Sequence, residues 1–165
     1  ASKSLTYYTL GYKASMYQPI FQSAWTAQWI TQLGYGRGYG DFSKALPFFK
    51  NYWAGGEGSI RGFENNTLGP KDSLGKPMGG NVLATTSLNV FMPPWLGEDK
   101  RIGGFVDAGN VFNDRIRSGE VRASAGIVFQ WRTPLAPLSL SLGYPIRKKT
   151  GDQKHAFSFA LSTSM

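Results

Sequence analysis

Seven stretches of this chain alternate apolar and polar side chains with a period of two, and their polar positions carry little charge. That period marks a strand with two unlike faces, because successive side chains point to opposite sides. The runs cover residues 8–16, 25–35, 82–90, 101–112, 121–132, 138–144 and 157–165. The fifth sets Val121, Ala123, Ala125, Ile127, Phe129 and Trp131 against Arg122, Ser124, Gly126, Gln130 and Arg132. The fourth is Gly-rich, with Ile102, Val106, Ala108 and Phe112 on one face and Asp107 on the other. Gly fills 21 of 165 positions and aromatics make up 15%, which crowds out the good helix formers. An all-β chain is predicted.

A soluble β-sandwich and a membrane β-barrel both show such alternation, the first turning its apolar face inward and the second toward lipid. Two features favour the barrel. The polar face is mostly Ser, Gly, Thr and Gln, which suits a lumen better than a solvated surface. The apolar faces tend to end in Tyr or Trp, as in the aromatic girdles at lipid headgroups. The connections follow the same logic. Residues 19–23 and 133–137 are short uncharged links, whereas a long loop over about 38–79 separates the second and third runs. The links after the fourth and sixth runs are charged and polar, and the one at 93–100 is intermediate. Short periplasmic turns alternating with long external loops would give this pattern. A spanning helix is excluded, since the uncharged stretches 14–36 and 78–97 are broken by Gln, Pro and Gly and lack the ~20-residue apolar block required. A soluble sandwich acting as a binding module is the alternative, and it would purify without detergent.

The net charge is +8, and residues 115–155 hold eight basic against two acidic side chains, a local balance of +6. Nucleic acid is not the expected partner, because the aromatics lie on regular apolar faces rather than among the charges. There is no cysteine, which excludes disulfides and thiolate sites. No pair of histidines stands at metal-ligand spacing, no nucleophile elbow is present, and His155 sits beside Lys154 in a polar link. Residues 34–40, with Gly at every second position, match no nucleotide-binding spacing and read as a flexible strand end. The chain is therefore expected to be no enzyme and to use neither metal nor cofactor. The Asn65-Asn66-Thr67 sequon carries no weight.

The informative segment is the long loop, with Pro47-Phe48-Phe49, then Tyr52-Trp53-Ala54-Gly55-Gly56, then Ile60-Arg61-Gly62-Phe63. So apolar a loop should fold back onto something, and in a barrel that something is the lumen. Arg61 leaving water would need a carboxylate. Asp107 is the only acidic residue within the seven runs. A surface arginine and a strand-end aspartate are the plain alternative, and the residues alone leave both open.

The ordered set of Ala-Gly-Gly, Ile-Arg-Gly-Phe, Gly79-Gly80-Asn81, Phe105-Val-Asp-Ala-Gly109 and Ser124-Ala-Gly-Ile-x-x-Gln-Trp131 resembles the BamA family of outer-membrane assembly barrels, over nearly the whole chain. Mitochondrial and chloroplast assembly pores and two-partner secretion transporters are related to that family. The resemblance implies an antiparallel transmembrane barrel in the bacterial outer membrane. Its family loop enters the lumen with Ile60, Arg61, Gly62 and Phe63 at the tip, docked near Asp107 and Gly109. The family barrel has sixteen strands behind POTRA domains. Residues 1–165 would be its last seven strands as a single segment, with no POTRA domain among them. A seam between first and last strands admits nascent outer-membrane proteins, which together with other assembly subunits and the lipid bilayer would be the partners of the intact protein. Here the last-strand seam would present Phe157, Phe159, Leu161 and Met165. A translocation pore of the same superfamily is the runner-up.

Three positions depart from the family pattern. Asn89 stands where a glutamate facing the loop arginine is usual, Ser162 where some members have a strand-kinking glycine, and Met165 where outer-membrane barrels usually end in Phe or Trp. Seven strands also leave open edges, which lipid does not tolerate. The segment is expected to self-associate through them.

Overall fold

The computed structural model describes residues 6–21, 24–39 and 46–161. Nine strands occur there: β1 (Thr6–Ile20), β2 (Trp25–Tyr39), β3 (Gly62–Phe63), β4 (Val82–Phe91), β5 (Lys100–Phe112), β6 (Arg122–Arg132), β7 (Pro137–Arg147), β8 (Lys154–His155) and β9 (Phe157–Leu161). Seven form one antiparallel up-and-down sheet in the order β1-β2-β4-β5-β6-β7-β9, while β3 and β8 pair separately. The fold is all-β, and no helix of the described residues is long and apolar enough to cross a membrane.

Burial decides between the two folds that the alternation allowed. Leu10 is 65% exposed and Ile127 58%, and Met16, Leu88, Leu142 and Phe159 are exposed with them. The opposite face buries Thr85, Asn89, Asp107, Ser124 and Ser141, with Asp107 at 0%. A soluble sandwich would bury the first set, since each such side chain loses about 1.5–3 kcal/mol when left in water. The sheet is inside-out for water and correct for lipid. Strands β4 to β7 hold 10, 13, 11 and 11 residues, long enough for the ~9–11 that a tilted membrane strand needs.

The short links leave from one rim, where Ile20, Trp25, Phe91, Lys100, Arg132 and Pro137 lie, and the long links from the other, where Tyr39, Val82, Phe112, Arg122, Arg147 and Phe157 lie. Trp29 and Trp131 are exposed toward the short-link rim, and Tyr8, Tyr39 and Tyr144 toward the long-link rim. Two aromatic belts thus bound the apolar band.

The structure corrects three local readings. Residues 34–39 are regular strand, so the long loop begins after Tyr39. Gly34 and Gly36 face inward, where a Cβ at Gly34 would stand 2.7 Å from the Tyr52 ring and one at Gly36 2.7 Å from Leu46. They make room for the loop rather than loosening the strand. Phe112 does not face lipid; it is buried at the end of β5, with Gly80 packed against its backbone. His155 lies in β8, paired with Gly62, although its side chain is exposed.

Candidate functional site

The polar face of the sheet is covered by the loop between β2 and β4. Tyr52 anchors its start, resting on Gly34 and donating its hydroxyl to the Leu10 carbonyl at 3.1 Å. A tight turn follows. The Gly55 amide donates to Ser59 Oγ at 2.8 Å, and the Gly56 amide to the Ile60 carbonyl at 2.9 Å. This turn aims Glu57 at β7, where it accepts hydrogen bonds from Ser139 Oγ at 2.9 Å and from Ser141 Oγ.

Arg61 comes next and is buried, at 6% exposure. Its Nε donates to Asp107 Oδ2 at 2.8 Å and its Nη2 to Oδ1 at 2.7 Å, a two-pronged charge-assisted contact. The Arg61 backbone amide also donates to Oδ2 at 3.0 Å, and Ser87 Oγ to Oδ1 at 2.6 Å. Each carboxylate oxygen thus accepts two hydrogen bonds, which fills its lone pairs. One N–H of Nη2 is shared between Oδ1 and Ser87 Oγ, 2.9 Å away, and the other donates to Asn89 Oδ1 at 2.8 Å. The guanidinium lies 3.5 Å from the centre of the Phe105 ring, itself packed with Phe91 and Val128 in a small apolar cluster. The register explains the convergence, because β4 and β5 pair Ser87 with Asp107 and Asn89 with Phe105. Four residues on two neighbouring strands thereby surround one side chain.

Gly62 follows at φ +86°, a conformation glycine adopts without strain. It sits against Gly143 on β7, where an added Cβ would stand 2.7 Å from the Gly62 nitrogen. Phe63 is fully buried with Ala54, Ile60, Leu68 and Val111. The tip is thus seated on an apolar cluster built from its own loop and from Val111 of β5. Gly109 lies tight against the neighbouring strand. A side chain there would meet the Ala84 carbonyl and Thr85 of β4 first.

A second buried ion pair holds the tip from the long-link rim. Arg122 at the start of β6 donates Nε and Nη2 to Asp152 at 2.9 and 3.0 Å, and both side chains are buried. Lys71 approaches the same carboxylate at 3.9 Å. Burial pushes the Asp152 carboxyl up, but the bonds from Arg122, the Lys149 amide at 2.7 Å and the charge of Lys71 outweigh it and hold the group below its ordinary value. Asp152 belongs to the link that forms β8, whose Lys154 and His155 pair with Phe63 and Gly62. The Glu64 amide extends that pairing to the Gln153 carbonyl at 3.0 Å.

All 165 residues match the model of the Omp85 superfamily domain. The chain belongs to the Omp85 superfamily. It is 31% identical to the outer membrane protein assembly factor BamA of Neisseria meningitidis serogroup B, over 97% of this chain and 24% of that protein. It is 29% identical to the BamA of Nitratidesulfovibrio vulgaris, over 71% of this chain and 15% of that one. The crystal structure of BamA from Haemophilus ducreyi lacking POTRA domains 1–3 superposes with a TM-score of 0.81 at 34% identity, covering 93% of this chain and 34% of that one. The chain thus spans about a quarter or less of the length of these curated relatives. It is an outer-membrane β-barrel segment of the Omp85 type.

In this Omp85 segment Arg61 meets Asp107, while Gly62 rests on Gly143 and Ile60 and Phe63 pack with Ala54, Leu68 and Val111. Phe157, Phe159 and Leu161, expected at the last-strand seam, form an exposed row on β9, and Met165 lies outside the described residues. Five participants escaped the sequence reading: Glu57, Ser87, Phe105, Gly143 and the Arg122–Asp152 pair. Only two left a trace in the sequence. Gly143 interrupts a Leu/Ser alternation, and Asp152 is the lone acid in a basic link.

Proposed function

We propose that this chain is the closing portion of an outer-membrane barrel that folds and inserts other outer-membrane proteins, and that Arg61 locks its loop into the lumen. What supports the reading is the Arg61–Asp107 contact, in which a loop arginine supplies three of the four hydrogen bonds accepted by a buried carboxylate on the polar face, Ser87 supplying the fourth. An arginine taken out of water costs several kcal/mol unless it is paired and hydrogen-bonded, so such a site is retained for the position it fixes. A loop pinned across the lumen blocks free passage and braces the sheet while its edges remain free to exchange partners.

Among the described residues, β1 and β9 each have one sheet neighbour. The missing strands of the barrel occupy these edges in the intact protein, and the β9 edge is the seam to which a nascent strand pairs. In isolation the edges pair with a second copy. Folding of a client barrel into liposomes, driven by the intact protein with and without Arg61→Ala and Asp107→Ala, tests the reading. Slower client folding in both variants at unchanged protein level supports it. Full activity in both would refute it. Size measurement of the isolated chain in detergent tests the edges, and a strictly monomeric species would exclude self-pairing.

A further inference from the structure

We propose that the long-link rim beyond β7 carries a binding site for phosphate-bearing lipid headgroups, built from Lys148 and Lys154 above Tyr144. The residues 147–154 contain Arg147, Lys148, Lys149 and Lys154 but one acid, Asp152. That acid is turned inward and its charge is taken by Arg122 and Lys71. Among the described residues none of Arg147, Lys148, Lys149 and Lys154 takes part in an ion pair. Arg147 gives one N–H to the Ser118 carbonyl at 3.1 Å, which engages the side chain without neutralising it. The rim therefore holds several cations around one spent carboxylate, an arrangement that attracts anions.

Position says which anions. Leu142, Tyr144 and Ile146 form the exposed, lipid-facing row of β7, with Tyr144 73% exposed. Lys148 is the next residue of that parity, one step beyond the strand end at Arg147. Lys154 belongs to the short β8, outside the membrane sheet. The Gly143 amide donates to the Ala156 carbonyl at 2.7 Å, which brings Lys154 and His155 alongside Tyr144, and the charge of Lys148 holds Lys154 below its ordinary value. Like charges kept this close on an exposed rim are eased by a multivalent anion between them. Tyrosine at this level marks the headgroup zone, so the group supplied there is a lipid phosphate, with the two ammoniums pairing its oxygens and the phenol within reach as a third donor. Lysines at an anionic membrane surface strengthen binding severalfold each.

Native mass spectrometry of the chain in neutral detergent doped with phosphatidic acid, or with phosphatidylcholine, measures the bound lipid. The wild type should retain phosphatidic acid over phosphatidylcholine. Lys148→Gln/Lys154→Gln should lose about tenfold in that affinity, whereas Lys50→Gln/Lys76→Gln, with the same loss of charge elsewhere, should not. Tyr144→Phe keeps the ring and removes the phenol, and a smaller loss is expected. Equal loss in both double variants would reduce the effect to net charge and overturn the site. So would unchanged retention in Lys148→Gln/Lys154→Gln. Inorganic phosphate competing as well as the lipid does would assign the site to free anions and overturn the lipid as its occupant.

Discussion

Arg61→Ala isolates the contribution of the lock. The substitution removes both prongs on Asp107 together with the bonds to Ser87 and Asn89 and the stack on Phe105. Asp107 stays fully buried and keeps only the residue 61 amide and Ser87. Stranding a buried charge in this way costs about 3–5 kcal/mol. Since ~1.4 kcal/mol is tenfold in an equilibrium, local opening of the tip should rise at least about a hundredfold. Hydrogen exchange at the Gly62 and Phe63 amides reads that opening directly, as does protease cleavage within residues 55–65. Asp107→Ala should do similar damage, because it strands the guanidinium instead. The double variant removes both charges and should cost less than the sum of the singles by about 0.5–3 kcal/mol. Additive effects would refute the reasoning, and so would a loss below ~1 kcal/mol for Arg61→Ala, the value of a solvated pair.

Asp152 gives the second pair a pH dependence with a definite sign. Its folded-state pKa is depressed, so its contribution is present above the ordinary carboxylate range near 4 and is lost as pH falls through the lower folded value. Acidification below about pH 4 should raise exchange in residues 149–155 before the sheet itself opens, and Asp152→Asn should abolish that step. Gly143→Ala should push the tip off β7, since the new methyl would stand 2.7 Å from the Gly62 nitrogen; a loss of ~1–3 kcal/mol in thermal stability is expected. Tyr52→Phe removes one hydrogen bond to Leu10 and should cost only ~0.5–1.5 kcal/mol, measured the same way.

The sheet was legible in the sequence because its signal is local and repeated. Val121 to Trp131 states both faces of β6 residue by residue, and lipid on one side keeps the alternation clean. The choice between lipid and water was less legible, since it rests on which face is covered, and burial of Asp107 and Ser124 settles that in three dimensions. Arg61 and Asp107 could be brought together because each is the odd residue in its surroundings, a charge in an apolar loop and an acid in a Gly-rich strand. Asn89 was reached only through the family resemblance, and Ser87 and Phe105 not at all. Their part follows from the β4–β5 register, and nothing in their own neighbourhoods marks it. The partners of Phe63 were not legible, because Ala54 and Leu68 lie within the same loop and meet it only once the loop has folded. Arg122 was hidden by parity, since a charged residue on the polar face of a strand looks solvated until its partner arrives from another link.

If the lock holds, the Arg61 side chain is sealed against Asp107. Nitrogen-15 labelling of arginine in the 165-residue chain, in detergent micelles, makes the Nε–H of each guanidinium visible by NMR. The signal missing in Arg61→Lys belongs to Arg61. It should exchange with water far more slowly than that of Arg37, whose side chain is exposed on β2, and the protection should vanish in Asp107→Asn. An Arg61 Nε–H that exchanges as fast as the one on Arg37 would contradict the account.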